Sequence, residues 1–459
     1  MKFILPALAL SLLTVSCVST DLTTSKQIEA PKNIIMVIGD GMGPAYTTAY
    51  RYFSDNPNTE VVEKTVFDRN LVGMSSTYPA QISGVVTDSA ASATALATGI
   101  KSYNKAIGID VNKQPIETVL EWAKLQGKKT GVVVTSQINH ATPASYLTHN
   151  ESRQNYNAIA DSYIDNGIKA DLYLGGGWKY FIREDRNLVD EFKHAGFHYI
   201  DNYQGLTNLP DNKPVLGLFA NAGLPWALDD SNKHRLSTMT KAAAHHLIDL
   251  QKHDKAKDKG FFMLVEASQI DWAGHGNSIS DAMAEMDDLA KTLEYLEHFV
   301  QHNPDTLVVV TADHSTGGFT VAANSKYAWN AKDIRTMKHS ANHIAKQLVK
   351  NEISKEVADA LFNFDLTDKE LALLISIKKT PVVSQNKNMY QDKNASAVKK
   401  ALLKTVKKII DIRTNSGWTS GGHTAIDVPV FAFGTHSEKF NGLQDNTDIA
   451  KKIFTLLGK

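Results

Sequence analysis

Short apolar runs recur along the chain at 33–38, 130–135, 172–174, 215–219, 261–265, 306–310 and 428–433, and the stretches between them carry helical spacing. Apolar strands that alternate with helices predict an α/β fold in which a mostly parallel central sheet is sandwiched by helices. Clear helical patterns fall at 188–195, 236–252 and 281–300, the last with Met283, Met286, Ala290, Leu293 and Val300 on one face. These stripes read as core, and His245 and His246 read as ordinary surface or core residues. Gly175-Gly176-Gly177 reads as a turn.

At 459 residues the length alone suggests about three domains of roughly 100–200 residues each. The polar residues that follow the strands argue for one. Asp40 follows the first run, Glu266 and Asp271 the fifth, and Asp313 with His314 the sixth, so almost any cut would separate them. In open α/β sheets that carboxyl edge is where ligands bind. The chain is therefore read as one α/β unit over 31–459. A Lys-rich amphipathic helical insertion near 327–413 reads equally as a cap flanking the site and as solvated decoration.

Lys2, the apolar run 3–15 and Ser16-Cys17 have the layout of a secretory leader, too short to span a bilayer. Cys17 is similar to the lipid-attachment cysteine of bacterial lipoproteins, with 18–30 as a Ser/Thr-rich linker. The expectation is an exported protein, periplasmic or held at the outer membrane or cell surface through Cys17, with simple cleavage and release as the alternative. The chain has 1 cysteine, so an intrachain disulfide is excluded. Its 49 Lys and Arg balance 49 Asp and Glu, which leaves no electrostatic footprint for nucleic acid.

The segment Val86-Thr-Asp88-Ser89-Ala-Ala-Ser-Ala-Thr-Ala95 places one hydroxyl at the start of a small-residue helix, behind a carboxylate. A helix start has unpaired N–H groups and partial positive charge, so an anion settles there, and Ser89 would point its oxygen at it. A plain Ser cap is the simpler reading of this segment taken alone. Asp271 and His275 are four apart, the spacing at which two ligands share a helical turn and a metal. Asp313-His314 sits in a loop after a strand, and His423 follows Gly421-Gly422 on a permissive backbone. These oxygen and imidazole donors, without thiolate, suit zinc and would also accept cobalt or manganese.

In order, Ile38-Gly-Asp40-Gly-Met-Gly43, the Ser89 segment, Glu266-Ala-Ser-Gln-Ile-Asp271-Trp-Ala-Gly-His275, Thr311-Ala-Asp313-His314 and Gly421-Gly-His423-Thr424 resemble the motifs of the alkaline phosphatases. The resemblance runs from about residue 33 to 434. It implies a first zinc on Asp271, His275 and His423, and a second on Asp40, Asp313 and His314 with the Ser89 oxygen. A third ion, magnesium, would lie on Asp40, Thr142 and Glu266. Arg153, eleven residues after Thr142, would hold phosphate oxygens as a guanidinium fork.

His140 and Trp272 stand where other members carry Asp and Lys, which is similar to a His/Trp bacterial subtype. The implied reaction is hydrolysis of small phosphate monoesters to an alcohol and inorganic phosphate through a phosphoserine on Ser89, and the implied assembly is a homodimer. A related phosphodiesterase, sulfatase or phosphomutase is the alternative. A non-catalytic surface lipoprotein that binds phosphate or metal comes third.

Overall fold

The computed structural model describes residues 30–252, 258–379 and 390–459, with side chains of the last segment described from 396 onward. The expected leader, Cys17 and nearly all of the 18–30 linker lie outside the described residues. In chain order the strands are β1 (Asn33–Gly39), β2 (Leu71–Ser76), β3 (Lys129–Gln137), β4 (Leu172–Gly176), β5 (His198–Ile200), β6 (Val215–Leu218) and β7 (Phe261–Ala267). They continue with β8 (Thr306–Thr311), β9 (Ser315–Thr316), β10 (Phe319–Val321), β11 (Ser416–Trp418), β12 (His423–Thr424), β13 (Val428–Gly434) and β14 (Gly442–Asp445).

One sheet takes 10 of them in the order β14-β2-β13-β8-β1-β7-β3-β4-β6-β5. Its pairs are parallel except the two made by β13, which runs antiparallel to β2 and β8. The α/β architecture expected from the alternation is therefore present, and the ends of β1, β7 and β8 lie side by side at its centre.

Strand pleating divides the core in two. Ile35 and Val37 of β1, Met263 and Val265 of β7 and Val308 and Val310 of β8 join one buried cluster. Ile34, Met36 and Ile38, Phe262 and Leu264, and Leu307 and Val309 join the other. Successive side chains point to opposite faces, so a strand with helices on both sides must be apolar throughout. The helices Arg235–Lys252 and Ile279–His302 cover the first face. The second is covered by Ser89–Thr98, Val119–Leu125, Ala141–Leu147, Tyr156–Asp165 and Asn446–Leu456.

The 327–413 segment contains the helices Lys332–Thr336, Ala341–Lys350, Lys355–Phe362 and Asp368–Lys379 and most of Tyr390–Thr414. Ile344, Leu348, Leu374, Leu402 and Val406 are buried within the first cluster. The segment extends the core, and the reading as solvated decoration is set aside.

The glycine run needs a second correction. Gly175 and Gly176 belong to β4, and only Gly177, at φ 135°, turns the chain. A Cβ on Gly176 would lie 1.6 Å from the Ala222 carbonyl oxygen, so its glycine serves close passage of a neighbouring loop.

Candidate functional site

Three parallel strands end together. Asp40 leaves β1, Glu266 lies inside the end of β7, and Asp313 and His314 follow β8. Gly41, at φ 74°, turns the chain sharply here, and a Cβ on it would come within 2.7 Å of the Asp271 Cα. Asp271 and His275 share the helix Gln269–His275. Because β13 is antiparallel, the residues before it reach this same edge. His423 therefore pairs with Thr316 in the β12–β9 ribbon and joins the site from the far end of the chain.

The helix Ser89–Thr98 is buried on every side, with Asp88 as N-cap accepting from the Ala91 N–H at 3.0 Å. Alanines make this burial possible without clash. Ser89 Oγ lies 3.0 Å from His314 Nε2. The same nitrogen is 3.4 Å from Asp40 Oδ1 and 3.2 Å from Asp313 Oδ2. Asp313 Oδ1 accepts from the backbone N–H groups of Gly41 and His314 at 3.1 and 3.0 Å. Asp313 Oδ2 and both Asp40 oxygens are buried without a hydrogen-bond partner. Buried carboxylate oxygens are almost always satisfied, so these three are positioned to accept a cation.

Alongside, Asp271 Oδ2 is 3.4 Å from His275 Nε2, and Oδ1 is 3.6 Å from His423 Nε2. The His275 Nδ1–H donates to the Gly421 carbonyl at 2.7 Å and the His423 Nδ1–H to the Thr87 carbonyl at 2.9 Å. That fixes both tautomers, so two unprotonated Nε2 atoms face each other 3.1 Å apart. A cation between them resolves the repulsion.

The third group is Asp40, His140 and Glu266, whose donor atoms lie within 4.8 Å of one another. Thr142, buried on the helix Ala141–Leu147, is close enough to Glu266 to lower its pKa. His140 thus stands among the donors of this group, where the sequence left its contact with a third ion open.

Arg153 donates from Nη1 to Asp88 Oδ2 at 3.1 Å and from Nη2 to His140 Nε2 at 3.3 Å. The His140 ring also meets Trp272 edge to face, with centroids 5.9 Å apart. Every site residue anticipated from the sequence is therefore drawn to one edge of the sheet.

The electrostatics match a site built for cations. Burial, reinforced by Asp313, Asp271 and Glu266, raises the Asp40 pKa well above the carboxylate range, and burial raises Glu266 to about 7. Against its own burial Asp313 is held at about 2, chiefly by His314. Burial and Arg153 bring His140 to about 3, and burial and His314 bring His423 to about 4. His140 and His423 are thus held neutral, whereas Asp313 raises the His314 pKa against its burial, so a cation among the crowded carboxylates would take the place of the His314 proton.

Two residues outside the anticipated set complete the site. Thr316 Oγ1 donates to Asp271 Oδ1 at 2.6 Å and lies 3.2 Å from His314 Nδ1, tying two clusters together. Asp88 anchors the guanidinium as well as capping the helix. Asp88 was visible beside Ser89, whereas a threonine two residues past His314 carries no motif.

A buried hydroxyl at a helix start, an adjacent guanidinium and facing cation-ready donors define a phosphoryl-transfer site on a doubly covered α/β sheet. The family model for alkaline phosphatase matches residues 31–458, and the chain belongs to this family. It is 44% identical over 432 residues to alkaline phosphatase 3 of Bacillus subtilis, covering 93% of this chain and 89% of the relative.

Among solved structures, the cold-active alkaline phosphatase of the psychrophile Shewanella sp. is 47% identical with a TM-score of 0.83, covering 93% of this chain and 100% of that one. The enzyme of the Antarctic bacterium TAB5 is 27% identical with a TM-score of 0.66, covering 94% and 99%. Two variants of that enzyme, each with one histidine replaced by an acidic residue, were solved with Mg bound in the M3 site. As a family member, this chain is a metal-dependent phosphoric monoester hydrolase.

Proposed function

We propose that the chain hydrolyses phosphate monoesters through a phosphoserine on Ser89, with two zinc ions and one magnesium per chain. The observation that carries this reading is Ser89 Oγ and two carboxylates converging on the single atom His314 Nε2. Asp271, His275 and His423 would hold the first zinc. Asp40, Asp313 and His314, with the Ser89 oxygen, would hold the second. Asp40, Thr142 and Glu266, with His140 beside them, would hold magnesium, the hard cation that carboxylate and hydroxyl donors favour. When bound, these cations lower the serine pKa and neutralise charge on the attacking and departing oxygens.

The chain's own groups do the rest. Ser89 Oγ forms a bond to phosphorus in line with the ester oxygen, whose bond to phosphorus breaks as the alcohol leaves. Arg153, oriented by Asp88, takes two non-bridging oxygens and strengthens that grip as charge develops on them. Water then attacks the phosphoserine from the vacated side, releasing phosphate and restoring Ser89. The same reading includes a homodimer, supported by family membership.

The test compares a phosphate monoester, a diester and a sulfate ester on the metal-loaded enzyme, with acid quench and peptide mapping for phosphoserine at Ser89. The monoester is expected to be fastest and the label to map to Ser89. Faster diester or sulfate turnover, or label elsewhere, overturns the assignment.

A further inference from the structure

Three metal-ligating side chains outside this site meet where the 327–413 segment docks onto the body of the fold. Asp229 lies on the connection between β6 and the helix Arg235–Lys252, while His339 and His343 flank the start of the helix Ala341–Lys350. The imidazole rings stack nearly parallel, 9° apart with centroids separated by 4.2 Å, so a turn of one ring about its Cβ–Cγ bond is needed to bring both in-plane lone pairs onto one ion. Asp229 Oδ1 lies 4.0 Å from His339 Nδ1 and 3.9 Å from His343 Nδ1. Donor atoms of all three fall within 4.8 Å of one another.

We propose that Asp229, His339 and His343 form a further divalent transition-metal site, of zinc type, that clamps the inserted helical segment to the β6 connection.

The carboxylate is already fixed. The Ser340 N–H donates to Asp229 Oδ1 at 2.9 Å and the Ser340 hydroxyl to Oδ2 at 2.5 Å, leaving one lone pair of Oδ1 for a cation. Ser340 is itself the N-cap of the histidine-bearing helix, accepting from the His343 N–H at 3.0 Å. One carboxylate thus sets the position of both ligands.

Zinc bonds of about 2.0–2.2 Å to nitrogen and oxygen need tetrahedral donors about 3.4 Å apart, so closure draws the carboxylate and each imidazole together by roughly half an ångström, with a turn of the stacked rings. Two imidazoles and one carboxylate suit zinc, copper or nickel and disfavour magnesium and calcium. The side chains are 37%, 32% and 19% exposed for His339, His343 and Asp229, which leaves room for water as a fourth ligand. The Gln347 amide nitrogen lies 3.4 Å from His343 Nε2, while its oxygen accepts from Asn351 Nδ2 at 3.3 Å, so the amide is held beside the ring. Lys233 and Lys338 act on His339 from nearby and oppose the cation, which sets the affinity below that of a closed structural site.

The experiment counts zinc. Full-length enzyme with saturated catalytic sites is equilibrated with free zinc and assayed for bound metal, alongside Asp229→Asn and a His339→Gln/His343→Gln double variant. Wild type is expected to bind one more equivalent per chain than either variant, and to gain thermal midpoint with zinc where the variants do not. All three proteins should keep the same kcat on a monoester, which separates this site from the catalytic one. Equal stoichiometry in wild type and variants overturns the proposal. On wild type alone, zinc is expected to shield His339 and His343 from acylation by diethyl pyrocarbonate, read by mass spectrometry. Modification unaffected by zinc overturns it independently of how the variants fold.

Discussion

His275 and His423 show how much of the site is set one atom at a time. Each gives its Nδ1 proton to a carbonyl, so both Nε2 lone pairs are turned inward before any ion arrives. Ser89 is held the same way, by a helix start whose cap is Asp88. Replacing Ser89 with Ala should lower kcat on a monoester by at least about a thousandfold, keeping the first zinc and weakening the second, which loses the Ser89 oxygen, checked by steady-state kinetics and elemental analysis. Trp272 and His140 place no cationic side chain beside Arg153, because burial keeps His140 neutral with a pKa of about 3. An ammonium introduced as Trp272→Lys should therefore tighten inhibition by inorganic phosphate by roughly fivefold, about 1 kcal/mol of added attraction. An unchanged inhibition constant refutes that electrostatic account.

Elements differ in how readily they declare themselves. β1, β7 and β8 are buried on both faces and hence carry unbroken apolar runs, so their existence and the location of Asp40, Glu266 and Asp313 could be read directly. β2 begins with an exposed Leu71 and has a glycine at its third position, β5 has 3 residues, and β14 reads Gly-Leu-Gln-Asp, so none carries a strand signal. Their pairing is imposed by neighbours. Nor did any local pattern announce the direction of β13, on which delivery of His423 depends.

The helix Val119–Leu125 offers a test of a different kind. Thr118 and Glu121 form a capping box, and Glu121 Oε1 also meets His149 Nε2 at 3.3 Å. Despite burial, this contact lowers the Glu121 pKa below 4.5 and raises that of His149 above 6.5. The acid's contribution is present above 4.5 and lost as pH falls through its folded value. The base's is present below 6.5 and lost as pH rises through its raised value, so the pair stabilises fully between 4.5 and 6.5. Glu121→Gln keeps the cap and removes the charge. It should cost about 1 kcal/mol in that window and progressively less above it, measured by denaturant unfolding across pH.

At the scale of the whole molecule, stability and metal content are coupled. Without cations, Asp40 and Glu266 have raised folded pKa values, so their favourable contribution fades as pH climbs toward and past about 7. His140 and His423 act oppositely, costing stability as pH falls below 6.5 toward about 3 and 4, so the two effects offset each other at lower pH. Chelator-treated protein should therefore lose thermal stability as pH rises above 6.5, and metal-loaded protein should lose much less, with activity abolished by the chelator. A flat profile for the metal-stripped protein contradicts this balance of charges.

The single reversed strand has one more consequence. Asp40 leaves β1, and His423 enters the same edge only because β13 runs against its neighbours. During synthesis the ribosome must carry translation from β1 through β12 before the His423 imidazole can join the Asp40 edge. A product terminated before β12 lacks both that imidazole and β13, the strand that joins β2 to β8, so on the proposed ligand set translation past this ribbon is built into the conditions for turnover.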